Sequence, residues 1–126
     1  MLDGITNRRG VGYARYSSDM QKDGWTIQAQ TRTITDHLTA KGIPIEAITK
    51  DEAKSGKTTD RAGLQEALTI IRAGRANMLV VAKLDRATRA LFDALGLDRE
   101  LKEYGASLYC IEENIDTADP NTMFMF

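Results

Sequence analysis

Met78-Leu79-Val80-Val81-Ala82 is an unbroken apolar run, followed at once by Lys83-Leu84-Asp85-Arg86-Ala87-Thr88-Arg89. The run is short and rich in β-branched residues, so it reads as a strand buried on both faces, as in a parallel sheet. Working outward, Val11–Tyr16 reads as a first strand and Trp25–Lys41 as a helix, with Ile27, Thr31, Ile34 and Leu38 on its inner face. Ile43–Thr49 reads as a second strand and residues 51–60 as a polar loop. Arg61–Ala73 reads as a helix with Leu64, Leu68 and Ile71 inward. Beyond the central run, Thr88–Tyr104 reads as a third helix, with Leu91, Leu95 and Leu101 as core contacts, and Ser107–Ile111 as a fourth strand. Gly42, Gly74 and Gly105 stand where the helices should stop. Strand and helix alternate, so the expected fold is α/β, a mostly parallel central sheet of four to five strands flanked by helices.

The chain has 126 residues, enough for one domain with one core. Hydrophobic residues are 42% and charged residues 28%, an ordinary globular balance. No apolar run reaches the roughly 20 residues of a membrane helix, so no membrane partner is expected. Residues 1–9 read as a flexible leader without the apolar stretch of a signal peptide. The single cysteine, Cys110, has no internal disulfide partner, and a cytoplasmic setting is the default. With 17 cations against 18 anions the net charge is −1, unlike an autonomous DNA binder but compatible with a catalytic domain delivered to DNA by another module.

Two segments carry chemistry. Arg15 and Ser17 lie two apart at the end of the first strand, hence on one face and about 6.6 Å apart at roughly 3.3 Å per residue. A phosphate fits between a hydroxyl and a guanidinium so placed. The same spacing also fits a surface arginine and a serine capping the next turn. Lys83, Arg86 and Arg89 gather three cations against Asp85 at the end of the central strand. Arginine suits forked bonding of phosphate oxygens, and two cations at a helix start oppose its dipole. A solvated charged loop fits this pattern as well. Ser55-Gly56-Lys57-Thr58 looks like the end of a phosphate-binding P-loop, but the required first glycine is Asp51, so it reads as a basic loop leading to Asp60-Arg61. His37 reads as an exposed or boundary residue, Cys110 as core, and Trp25 as the anchor of the first helix. One histidine and one cysteine make no zinc set, and Asp51 with Asp85 is thin support for a metal. No cofactor is expected.

Tyr13-Ala14-Arg15-Tyr16-Ser17, Gln21, Gln28, Asp51, Ser55-Gly56, Asp60-Arg61, Gly63-Leu64 and Lys83-Leu84-Asp85-Arg86…Arg89, in this order, resemble the serine recombinases of the resolvase/invertase family. The interval from Ser17 to Gln28 looks more like the large members, the integrases and transposases. The resemblance implies a resolvase-like catalytic domain over residues 10–126 that cleaves and rejoins double-stranded DNA. It implies Ser17 as nucleophile, through a 5′-phosphoserine link, with Ser18 as its rival. Arg15, Arg61, Arg86 and Arg89 would stabilise the phosphate, with Lys83 and Asp85 nearby. Gln21 and Gln28 would support the nucleophile's loop, and Tyr13 and Asp51 would support the site. A non-catalytic regulatory or assembly domain on the same fold is the alternative. The resemblance further implies a bacterial, phage or mobile-element origin and a homodimer or homotetramer in the full-length protein. The long oligomerisation helix is expected to begin near Thr122 and to be truncated here. Loops at 17–24 and 52–60 are expected to be partly disordered, with the arginines not yet gathered on Ser17.

Overall fold

The computed structural model describes residues 7–17, 24–53, 61–88 and 91–120. Five strands form one sheet: β1 (Gly10–Ser17), β2 (Ile45–Ala53), β3 (Met78–Val81), β4 (Ser107–Cys110) and β5 (Ile115–Asp116). Their order is β2-β1-β3-β4-β5. The first four are mutually parallel, and β5 turns back antiparallel on β4. Four helices connect them: α1 (Ile27–Ala40), α2 (Ala62–Arg72), the single turn α3 (Leu84–Ala87) and α4 (Leu91–Glu103). The mostly parallel α/β architecture is the one the sequence implies.

The alternation of side chains along the strands divides the core in two. Val11, Tyr13, Leu79, Val81 and Leu108 pack with Leu64, Leu68 and Ile71 of α2 and Leu101 of α4. Met78, Val80 and Tyr109 point the other way and meet Ile34 and Leu38 of α1. The sheet is thus sandwiched between helices, which is why β3 carries no polar residue. Gly12 lets α1 come close: a Cβ there would lie 3.0 Å from Ile34. Gly42 and Gly74 end α1 and α2 with φ of 71° and 77°, as their places in the sequence imply.

Several expectations are corrected. β2 runs past Thr49 to Ala53, paired in register with β1 up to Ser17↔Ala53. It is an edge strand, so Lys50 and Glu52 face water without breaking it. In α1 the buried residues are Gln30, Ile34 and Leu38, and Thr31 lies only at the boundary. In α4 the inner stripe is Ala94, Asp98 and Leu101, which turns Leu95 outward to 38% exposure. Residues 7–9, read as part of a leader, are fastened. Asn77 and Arg9 exchange two hydrogen bonds of 2.9 Å, and Arg8 pairs with Asp116 at 2.8 Å. Residues 1–6, the loop at 54–60, and the helix expected from Thr122 lie outside the described residues.

Candidate active site

β1 pairs with β3 only over Gly10–Gly12, then continues beside β2 alone. The chain runs from β1 to β2 on one side and returns to β3 on the other. This is the point where strand order reverses and a crevice opens at the carboxyl ends of the strands. The end of β1 supplies Arg15 and Ser17 to this crevice, and the turn after β3 supplies residues 83–88.

α3 sits in the crevice, and its last carbonyls have no helical partner of their own. Two arginines from other elements take them. Arg15 donates Nη2–H to the Asp85 carbonyl at 2.6 Å and Nε–H to the Arg86 carbonyl at 3.1 Å. Arg61, at the start of α2, donates Nη2–H to the same Arg86 carbonyl at 3.0 Å. One backbone oxygen therefore gathers two guanidiniums from opposite sides of the site. Arg86 itself is fully buried, and its Nη1 binds the half-exposed carboxylate of Asp85 at 2.7 Å. Lys83 precedes α3 in extended backbone and gives it no side-chain cap.

A second network fixes Arg61. Asp51, on β2, accepts the Tyr13 hydroxyl at 2.6 Å and the amide N–H groups of Gly63 and Leu64 at 2.8 and 3.1 Å. It thereby caps α2 from another strand, where Arg61 at the cap position makes no side-chain cap of its own. Arg61 lies over the Tyr13 ring, 5.5 Å from its centroid, and its Nη2 is 3.4 Å from the phenol oxygen. Burial, and then the bond to Asp51, push the Tyr13 phenol up to about 12. Gly63 permits the approach: a Cβ there would lie 2.2 Å from the Lys50 carbonyl oxygen.

The expected residues divide as follows. Tyr13, Arg15, Asp51, Arg61, Asp85 and Arg86 form one connected network. Ser17 is the last residue of β1, two beyond Arg15, and is 6% exposed. Gln28 is exposed on α1, in a surface depression shared with Ala29, Arg32 and Thr33. The glutamine that reaches β1 is Gln30. It is fully buried, donates to the Arg15 and Trp25 carbonyls at 2.9 and 2.8 Å, and accepts the Arg15 amide at 3.1 Å. Its place at the head of the Gln30, Ile34, Leu38 stripe was the available signal, since a polar residue on a core stripe needs partners. Glu113 was also missed: both its oxygens accept the Leu84 amide, at 3.0 and 3.1 Å. Nothing near Lys83 in sequence announces it. Ser18, Gln21 and Arg89 lie outside the described residues. Among the described residues no group of three or more His, Cys, Asp or Glu side chains is placed to hold a metal.

A strand-end serine, converging arginines and this sheet order define a resolvase-type domain. The family model "Resolvase, N terminal domain" matches residues 10–126, and the chain belongs to that family. A DNA-invertase of Enterobacteria phage P7 is 32% identical over 116 residues, 92% of this chain and 55% of the relative. The Transposon Tn552 resolvase of Staphylococcus aureus is 38% identical over 117 residues, 89% of this chain and 50% of the relative. The chain thus spans about half the length of these curated relatives. The N-terminal catalytic domain of TP901-1 integrase has the same fold, with a TM-score of 0.79, 24% identity and coverage of 94% of this chain and 88% of that one. No helix among the described residues is long and apolar enough to cross a membrane.

Proposed function

We propose that this chain is the domain of a site-specific recombinase that breaks and rejoins double-stranded DNA, with Ser17 as nucleophile. The observation that carries the reading is the junction at the sheet edge: Ser17 ends the strand whose Arg15 shares a backbone acceptor with Arg61. In the step we propose, the Ser17 oxygen attacks the scissile phosphorus in line. The Oγ–P bond forms as the P–O3′ bond breaks, the serine proton is lost, and the departing 3′-oxygen gains one. Attack by a 3′-hydroxyl on the phosphoserine reverses the step, and the retained ester makes rejoining possible without an energy source.

Arg15 and Arg61 are assigned to the non-bridging oxygens, where they offset the charge that builds in the transition state. Arg89 is assigned to the same task. Arg86, being buried, is assigned to the scaffold in this conformation, and Asp85 to orienting it. Lys83 adds positive charge beside the crevice. Gln21 and Gln28 retain their assignment to the loop after Ser17, while Tyr13 and Asp51 hold Arg61. A buried Ser17 must be uncovered before it meets a duplex, which fits a site completed only on DNA. Residues 10–126 as a catalytic domain, the long helix near Thr122, dimer or tetramer assembly, a mobile-element origin and a cytoplasmic setting belong to the same proposal.

The test is to incubate the full-length protein with a plasmid library of genomic fragments from its source organism and quench with detergent. The attached residue is then mapped by mass spectrometry. DNA joined to Ser17, and no adduct with Ser17→Ala, is the expected result. Loss of adduct in Ser18→Ala but not in Ser17→Ala overturns the nucleophile. Sequence-selective binding without any adduct favours a regulatory domain.

A further inference from the structure

We propose that Glu113 is a positioning residue for the arginine site, acting through the backbone of α3. This rests on the reading of Arg15 and Arg61 as the phosphate-holding groups. α3 is one turn long, too short to be stable alone. The residues that flank it are bonded to it, Arg86 N–H to Lys83 O at 3.0 Å and Thr88 N–H to Leu84 O at 3.1 Å. Its first residue, Leu84, has an amide with no helical partner, and Lys83 supplies no cap. The Glu113 carboxylate fills that role with both oxygens.

Glu113 comes from the turn after β4, and that turn is itself fixed. Glu112 donates its N–H to the Ala82 carbonyl at 2.9 Å, directly before Lys83, and Asn114 closes the turn on Ile111 at 3.1 Å with φ of 56°. The carboxylate is thus held over the N-terminal end of α3 by contacts on either side of it. At the other end of the same turn, the Asp85 and Arg86 carbonyls accept Arg15 and Arg61. An anion at the amino end and two cations at the carboxyl end both match the dipole of the turn. Glu113 therefore sets where the two carbonyls point, and through them where the two guanidiniums stand. It does not touch a phosphate.

Two measurements on the full-length protein test this. The first is the rate and the DNA affinity of covalent adduct formation, on a duplex recovered in the library experiment above. Glu113→Ala is expected to slow adduct formation about tenfold or more while DNA affinity stays within about twofold. Glu113→Gln, which keeps one acceptor oxygen, should recover most of the rate. An unchanged rate in Glu113→Ala, or a loss fully explained by weaker DNA binding, overturns the proposal. Should Glu113→Ala fail to fold, Glu113→Leu, which fills similar space without an acceptor, decides: a loss of about tenfold with folding and affinity intact supports the proposal, and wild-type rate overturns it. The second measurement is the Arg15 Nε–H resonance, which needs no DNA. Faster solvent exchange in Glu113→Ala, or in Glu113→Leu should the alanine variant not fold, supports the role of Glu113, and an unmoved signal there overturns it. A wild-type protein that forms no adduct sinks the recombinase reading alone, because the resonance still reports on Glu113.

Discussion

At the scale of residues, Gln30 shows how a single amide can set the geometry of a strand end. It is fully buried, and its three hydrogen bonds tie the backbone of Arg15, in both directions, to the start of α1. Replacing Gln30 with Ala removes these three buried hydrogen bonds and opens a cavity. A loss of about 2–4 kcal/mol in unfolding free energy is expected, read from urea midpoints. A variant within about 0.5 kcal/mol of the parent contradicts this role. Arg86 makes the complementary point. Its charge suggested a phosphate contact, but its side chain is buried and its carbonyl is the part that meets the other arginines. A sequence reports which side chain is charged and says nothing of which backbone atom will be useful.

At the scale of elements, what was legible follows from local pattern. The unbroken run of β3, the stripe of α2 and the stops at Gly42 and Gly74 are written in neighbouring residues. What was illegible depends on distant ones. α3 needs a carboxylate 29 positions away to cap it, and so nothing within residues 83–87 marks them as a separate helical turn. The far half of β2 looked like loop because Lys50, Asp51 and Glu52 are polar. Pairing with β1 and the solvent face of an edge strand make it regular there. Asp51 belongs to that half and caps α2, so extending β2 and placing α2 are one event. Gly63 is where the two elements meet. Gly63→Ala forces its methyl onto the Lys50 carbonyl, 2.2 Å away. We expect a loss of about 2–3 kcal/mol or failure to fold, measured by denaturant unfolding, where an ordinary helical Gly→Ala would stabilise. An unchanged midpoint would show that α2 can move off β2.

At the scale of the whole molecule, polar contacts help to fasten the covering helices to the sheet. One is His37 of α1 on Tyr109 of β4, where His37 Nε2 lies 2.8 Å from the phenol oxygen. Burial, and then the charge of Lys41, lower the His37 pKa from 6.5. The folded chain therefore takes up this proton less readily than the unfolded one, so stability falls as pH drops below that value. His37→Gln should flatten this part of the stability profile, measured by urea unfolding across the range. A variant profile parallel to that of the parent rules the histidine out. The strand order has one more outcome. Among the described residues the outer strands are β2 and β5, and β5 is only two residues long, so β2 is the long outer strand. An uncovered strand is a template on which a stray chain can polymerise. β2 carries Lys50 and Glu52 exposed, and Glu46 paired with Arg75 at 2.6 Å. Any incoming strand must desolvate those charges, so the open side of the sheet is guarded against self-association by the same polar residues that disguised it as a loop.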